Sequence, residues 1–232
     1  MPKTLIIIPS YNEENNIASL INALLVLPIE ADILVVDDSS DGTASVVKKM
    51  QVSEPRVALI KREGKGGRGS AVLDGFRYAL SQNYQRIVEM DADFSHDPRE
   101  LPSLLAVSDT NKLVIGSRYL PTSKILNWPL PRRIFSKCAN FYANLILRIG
   151  IYDYTNGYRV YGREALDKLE MDKIRSRGYI VLSEIAYQLF RKGVAFAEVP
   201  TIFVNRARGV SNFSLKEARE SFVSVLRIRF GH

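Results

Sequence analysis

The residues with the clearest chemical potential are Asp91 and Asp93, in the run Asp91-Ala92-Asp93 directly after the apolar segment Ile87-Val88-Glu89-Met90. Carboxylates at i and i+2 leave an extended segment on the same side. At a strand end they can share one hard divalent cation, and Mg²⁺ is typically held by one or two carboxylates together with substrate phosphates. Such a cation neutralises charge developing on a diphosphate leaving group. The other use of the pair is a solvated acidic turn. A second acidic strand end, Asp37-Asp38, follows Ile33-Leu34-Val35-Val36. Here Ser39, Ser40 or Asp41 can cap the next helix, while Asp38 can also meet a ribose or a base.

The arginines extend this chemistry. Arg118 directly follows the apolar run 113–117, Arg132 and Arg133 sit in a proline-broken turn, and Arg206 and Arg208 follow Phe203-Val204. The planar guanidinium fork suits phosphate oxygens. Separate arginines at loop edges beside a metal site imply more than one phosphate group; taken singly, each can also be a solvated surface residue. The glycine-rich run 64–69 is neither a Walker A pattern nor a G-x-G-x-x-G opening the first strand–helix unit, so NTPase and dinucleotide readings fit poorly. It is either a ligand-contacting loop or a turn that needs glycine freedom. His96 reads as a structural cap before Pro98 rather than a metal ligand, Cys138 as a packed thiol, and Trp128 as a turn anchor or a membrane-interface residue. No convincing Ser-His-Asp or Cys-His set is present.

Alternating elements must position these groups. Apolar β-branched runs predict strands over 5–9, 32–37, 57–61, 86–90 and 113–117. Helical spacing predicts helices over 15–27, from 43, and over 70–80. This pattern implies an α/β fold with a mostly parallel central sheet flanked by helices. The polar residues fall at the C-terminal strand ends, where such sheets bind ligands. The second half reads as a turn at 127–133, a helix over 134–149, a loop at 153–159, a further helix pair, a strand over 197–204, and a terminal amphipathic helix over 214–230. The expected division is a catalytic domain at 1–212 and a C-terminal amphipathic helix at 213–232.

Composition bounds the partners. The 232 residues carry a net charge of +7, which favours anionic partners. The basic residues are scattered over strand ends rather than set on a helix face with stacking aromatics, which argues against nucleic acid. The single cysteine excludes an internal disulfide. No apolar run reaches the roughly 18–20 residues a membrane span needs, and the first residues lack signal-peptide organisation. The expectation is a cytoplasmic protein, peripheral on the cytoplasmic face of a membrane. The helix over 134–149 mixes basic and apolar residues and is expected to touch that membrane; the terminal helix can do the same, or pack on the domain, a second subunit or a membrane-protein partner.

Together, the runs Ile8-Pro9-Ser10-Tyr11-Asn12-Glu13-Glu14, Val35-Val36-Asp37-Asp38-Ser39 and Asp91-Ala92-Asp93-Phe94-Ser95-His96 resemble the inverting glycosyltransferases of family two. Gly116-Ser117-Arg118-Tyr119, Asn127-Trp128-Pro129, Arg132, Ser136-Lys137, the run from Asp153 to Arg159, and Arg206 to Ser211 narrow the resemblance to the dolichol- or polyprenol-phosphate mannosyltransferases. The resemblance implies a GT-A fold, GDP-mannose as donor and a polyprenyl monophosphate as acceptor. It implies that Pro9, Tyr11, Glu13, Val36 and Asp38 line the nucleoside pocket. Asp91 and Asp93, with Ala92 beside them, would meet the diphosphate and its Mg²⁺ or Mn²⁺. Ser95 stands where some relatives carry a metal-reaching Gln. Arg118, Arg132 and Ser136 would meet the acceptor phosphate, and Arg206 the donor diphosphate. Two departures stand out: Asn212 replaces a lysine common in relatives, and Arg68 replaces a leucine. Two alternatives remain open at this point, a UDP-sugar donor (glucose or an N-acetylhexosamine) and a sugar-phosphate nucleotidyltransferase.

Overall fold

The computed structural model describes residues 3–64, 66–176, 178–205 and 215–231. The chain opens as β1 (Thr4–Ser10), α1 (Ile17–Leu25), β2 (Ala31–Asp37), α2 (Thr43–Ser53), β3 (Val57–Lys61), α3 (Arg68–Ser81) and β4 (Arg86–Glu89). It continues through α4 (Leu101–Val107), β5 (Lys112–Ser117), β6 (Lys124–Leu126), α5 (Leu130–Leu147), β7 (Arg159–Gly162) and α6 (Arg163–Asp167). It closes with α7 (Val181–Arg191), β8 (Ala195–Pro200), β9 (Ile202–Val204) and α8 (Leu215–Phe230).

A seven-stranded sheet runs in the order β3-β2-β1-β4-β7-β5-β8. All its pairs are parallel except those of β7, which lies antiparallel between β4 and β5. The apolar runs are explained by burial on both faces. Along β1, Leu5 and Ile7 enter one core while Ile6 and Ile8 enter the other, as the two-residue side-chain period requires. The first core is closed by α3, α5, α7 and α8 through residues such as Phe76, Leu147, Ile185, Val225 and Ile228. The second is closed by α1, α2 and α4 through Ile17, Leu20, Val47 and Leu104.

Three expectations change. The loop over 153–159 ends in a strand, because Arg159 opens β7. The strand over 197–204 is two strands: β8 pairs with β5 as far as Pro200, then β9 leaves the sheet to pair with β6. Proline has no N–H for the ladder, so pairing changes partner there. The proline-broken turn is in fact the start of α5, at Leu130, with Pro131 in its first turn, where proline's missing N–H costs nothing. The expected boundary at 212/213 lies outside the described residues. Beyond it, α8 sends Val225 and Ile228 into the main core.

Candidate active site

The C-terminal ends of β1, β2 and β4 open into a cleft of about 230 Å³. Pro9, Tyr11, Glu13, Asp38, Asp91, Ala92 and Asp93 all line it, joined by Ser10, Gly67, Arg68, Ala71 and Tyr179. Residues from three separate loops thus converge on one cleft. Val36 does not line the cleft. The β2 alternation turns it fully into the core. Arg206 lies outside the described residues, as do Arg208 and Asn212.

On one side the two loops after β1 and β2 are stitched together. The Asn12 N–H donates to Ser39 Oγ at 2.7 Å, the Ser40 N–H to Asn12 Oδ1 at 3.0 Å, and the Glu13 N–H to Thr43 Oγ1 at 3.0 Å. Asp41 caps the start of α2, accepting the Thr43 N–H at 3.0 Å. Asp37 is fully buried and accepts from Ser10, Ser39 and Lys61. Its role is to tie the strand ends together. Asp38 faces the cleft, clamped by Arg62 through two bonds of 2.6 Å and by the N–H groups of Gly66 and Gly67 at 3.0 and 3.2 Å. The glycine-rich loop therefore spends these amides on a carboxylate, not on a phosphate. Gly67 has φ +86°, which L side chains rarely adopt.

Burial raises the Asp37 and Asp38 carboxyl pKa values, but the Lys61 and Arg62 partners outweigh it and hold both below the usual carboxylate range. A group whose folded pKa is depressed contributes stability that is complete above its unfolded pKa, roughly 3.9 for Asp. That contribution disappears as pH falls through the folded value. Thermal melts should therefore hold level from neutrality to about pH 5 and drop steeply below about pH 4. A melting temperature unchanged at pH 3 would contradict the clamp.

On the other side Asp91 and Asp93 enter the cleft from the turn after β4. The Asp91 N–H donates to His96 Nδ1 at 3.2 Å, which puts the ring proton on Nε2, 2.9 Å from Asn156 Oδ1. His96 is fully buried and stacked on Tyr158, so it is structural, as its position before Pro98 suggested. The Ser95 N–H donates to Asp93 Oδ1 at 3.0 Å. Ser95 itself is buried and is not among the cleft-lining residues. No group of three or more His, Cys, Asp and Glu with metal-holding geometry occurs among the described residues. The donor set is instead a pair of hard carboxylates in a cleft, which suits a cation that completes its shell with ligand phosphates.

Arg118, Arg132 and Ser136 form a second cluster at the base of α5. The Arg118 guanidinium is buried and forked onto Asp153, with Nε and Nη2 each 2.8 Å from a carboxylate oxygen. Trp128 brings the two arginines together, its ring 5.5 Å from Arg118 and 4.2 Å from Arg132. The buried Trp128 Nε1 has no hydrogen-bond partner among the described residues. Tyr119 donates to Ser136 Oγ at 2.6 Å, and Arg132 to Asn205 Oδ1 at 3.1 Å. Arg118 carries one cost the sequence concealed, because Asp153 takes much of its charge. Burial alone would raise the Asp153 pKa, but Arg118 and neighbouring N–H groups hold it low.

One hydrogen-bonded chain joins the two clusters. It runs from the Asp91 N–H to His96, on to Asn156, through the Asn156 N–H to Asp153 at 3.0 Å, and so to Arg118. Sequence reasoning missed Arg62 and Glu89, and took Asp153 only as part of a motif. The only signals were charge at strand ends and the run from Asp153 to Arg159.

Beyond this cluster, α5 shows solvent an apolar stripe. Leu130 (65% exposed), Ile134, Phe141 (72%) and Leu145 recur at helical spacing, with Arg133, Lys137 and Arg148 exposed beside them. The neighbouring α8 adds exposed Val223, Leu226 and Phe230. Contacts of Tyr142 and Phe135 with Phe222 pack α5 and α8 together. Cys138 is exposed on the same helix and is not a packed thiol. Among the described residues no helix is long and apolar enough to cross a membrane.

Residues 5–170 match the sequence profile of Glycosyl transferase family 2. The chain belongs to that family. Its curated relatives include the polyprenol monophosphomannose synthase of Mycolicibacterium smegmatis, 40% identical over 96% of this chain and 85% of the relative. The undecaprenyl-phosphate mannosyltransferase of Micrococcus luteus is 38% identical over 97% of this chain and 93% of the relative. Among solved structures, the glucosyl-3-phosphoglycerate synthase of Mycobacterium tuberculosis with Mn²⁺, UDP and glucosyl-3-phosphoglycerate superposes with a TM-score of 0.68 at 20% identity, over 99% of this chain and 80% of that one. This family 2 enzyme is accordingly a glycosyltransferase of GT-A-type α/β fold.

Proposed function

We propose that this family 2 glycosyltransferase moves mannose from GDP-mannose to a polyprenyl monophosphate, with inversion, at the cytoplasmic face of a membrane. The observation that carries the reading is the joining of two sites by one buried chain of hydrogen bonds. A carboxylate-lined cleft suits a nucleotide-sugar, and the Arg118–Trp128–Arg132–Ser136 cluster, at the foot of an exposed apolar helix face, suits a lipid phosphate. The names of both curated relatives couple a polyprenyl-type phosphate to mannose.

In this reading Pro9, Tyr11, Glu13 and Asp38 hold the nucleoside, and Asp91, Ala92 and Asp93 face the diphosphate; Arg206, which lies outside the described residues, is assigned to the same diphosphate. Asp91 and Asp93 would hold a divalent cation, Mg²⁺ or Mn²⁺, which when bound would neutralise charge on the departing diphosphate. The Ser95 N–H keeps Asp93 aimed at that position. Arg118, Arg132 and Ser136 orient the acceptor phosphate. A phosphate monoester has a second pKa near ~6, so at neutral pH the acceptor is largely a dianion and needs no general base. The protein's task is alignment with the anomeric carbon and electrostatic support of the leaving group. A single in-line displacement gives a β-linked product from an α-linked donor.

The test is to incubate the enzyme with Mn²⁺, a short polyprenyl phosphate and, in parallel, GDP-mannose, UDP-glucose and UDP-N-acetylglucosamine, following the lipid by mass spectrometry. Hexose from GDP-mannose alone, β-linked, supports the reading. Transfer only from a UDP donor replaces the donor, an α-linked product overturns inversion, and a lipid untouched by all three donors overturns the acceptor.

Membrane contact has its own expected result. The enzyme sediments with vesicles containing anionic lipid at low salt, and the Leu130→Glu/Phe141→Glu variant stays in the supernatant. Both side chains are exposed, so the melting temperature should barely change. Equal sedimentation of the two proteins would remove α5 from the membrane face.

A further inference from the structure

Among the described residues, Arg68 is a cation of the cleft that the proposed chemistry leaves unused. It stands in the first turn of α3. Its guanidinium reaches across the cleft floor. Nε and Nη2 lie 2.9 and 2.8 Å from Asp91 Oδ1, and Nη1 lies 2.7 Å from Glu89 Oε1. The Nη contacts are close in distance but poorly directed as hydrogen bonds, so they act as ion pairs rather than a fork. The Tyr179 ring lies 5.4 Å from the guanidinium carbon. A Cβ at Gly157 would collide with the guanidinium, so the chain keeps room for it.

Glu89 makes the arrangement a built one. It is fully buried at the end of β4, and its other oxygen accepts the Tyr161 hydroxyl at 2.9 Å. An uncompensated carboxylate at that depth is costly, and a guanidinium, which stays charged at all working pH values, is its natural partner. Burial works against the charged arginine, but Asp91 and Glu89 overcome it and raise its pKa far above the ordinary value. The first carboxylate of the Asp91-Ala92-Asp93 run therefore has a cation before any metal arrives.

We infer that Arg68 is a resident counter-ion that competes with the divalent cation for Asp91, so that the empty enzyme binds metal weakly and metal and nucleoside diphosphate enter together. The inference rests on the reading of Asp91 and Asp93 as the metal carboxylates. A second cation on the oxygen that Arg68 holds is opposed by like charge. A diphosphate relieves that opposition in two ways. It supplies further oxygens to the metal, and it offers the guanidinium anionic oxygens in place of Asp91. The coupling is reciprocal: nucleotide strengthens metal binding by the factor by which metal strengthens nucleotide binding.

The experiment is a Mn²⁺ titration of the intact enzyme, with free Mn²⁺ read by electron paramagnetic resonance, first without nucleotide and then with GDP or UDP. The key variant is Arg68→Met/Glu89→Gln. It leaves net charge unchanged and keeps an acceptor for Tyr161, so it tests the guanidinium rather than overall charge or a stranded Glu89. It is expected to bind Mn²⁺ without nucleotide at least tenfold more tightly than the wild type, and nucleotide should then add less. Arg68→Lys, with a charge but no fork, falls between them. Adding Asp93→Ala to the double variant abolishes the gain. Mn²⁺ affinity in the double variant equal to or below wild type, with nucleotide-dependent binding intact in both, overturns the inference and leaves the proposed function standing. Failure of every protein to take up Mn²⁺ with either nucleotide overturns the metal reading beneath it as well.

Discussion

Replacing Asp93 with alanine should reduce kcat/KM for sugar transfer by about 10³-fold or more while leaving the fold intact. The magnitude is what enzymes lose when one preorganised electrostatic partner of a developing charge is removed. In the proposed mechanism Asp93 has that role; the Ser95 N–H donates to its Oδ1 at 3.0 Å, and the residue lines the cleft. It is partly exposed, so the melting temperature should move by only a few degrees. Initial rates across Mn²⁺ concentration, paired with thermal melts, measure both quantities. A variant retaining a tenth of wild-type activity would show that the second carboxylate does not carry the leaving-group charge.

The Asp153→Ala variant is expected to fail in the opposite manner, through stability. Exposed ion pairs contribute about 0–1 kcal/mol, whereas removing one partner of a buried pair costs about 3–5 kcal/mol because the other charge is stranded. Arg118 and Asp153 are both buried, and Asp153 also accepts the N–H groups of Arg118, Thr155 and Asn156. A loss of that size lowers the melting temperature by about 10 °C or more in a domain of this length. The Arg118→Leu/Asp153→Ala double variant should recover part of the stability, since no buried charge is stranded, but none of the transfer activity if Arg118 meets the acceptor. Recovery of both would reduce the pair to scaffolding. A single variant as stable as wild type would show that water reaches Arg118 freely.

The strand ends were legible from local rules. Burial on both sheet faces demands apolar residues at consecutive positions, so β1, β2 and β5 announced themselves as β-branched runs. Where such runs stop, at Asp37-Asp38 and at Asp91, polar residues gather at the C-terminal edge of the sheet, and that is enough to locate the cleft. β7 was not legible. Its four residues Arg159-Val160-Tyr161-Gly162 hold two polar or small positions, and only neighbours from β4 and β5 make them a strand. The first turn of α5 was missed because Pro129 and Pro131 read as a break, although proline is tolerated at a helix start.

For the site, the sequence by itself determined which ionisable groups stand at the strand ends and therefore which chemistry is available. It could not say which of them pair. Ion-pair choice depends on distances between residues far apart in the chain: Arg62 with Asp38, Arg118 with Asp153, Arg68 with Glu89 and Asp91. Every arginine is equally capable of every partnership until the sheet order sets the separations. Tertiary structure made that selection. It spent the glycine loop on Asp38, turned Val36 into the core, joined Asp91 to Arg118 through His96, Asn156 and Asp153, and set Arg68 against Glu89 and Asp91. Periodicity is written residue by residue, whereas electrostatic partnership is a property of the packed whole.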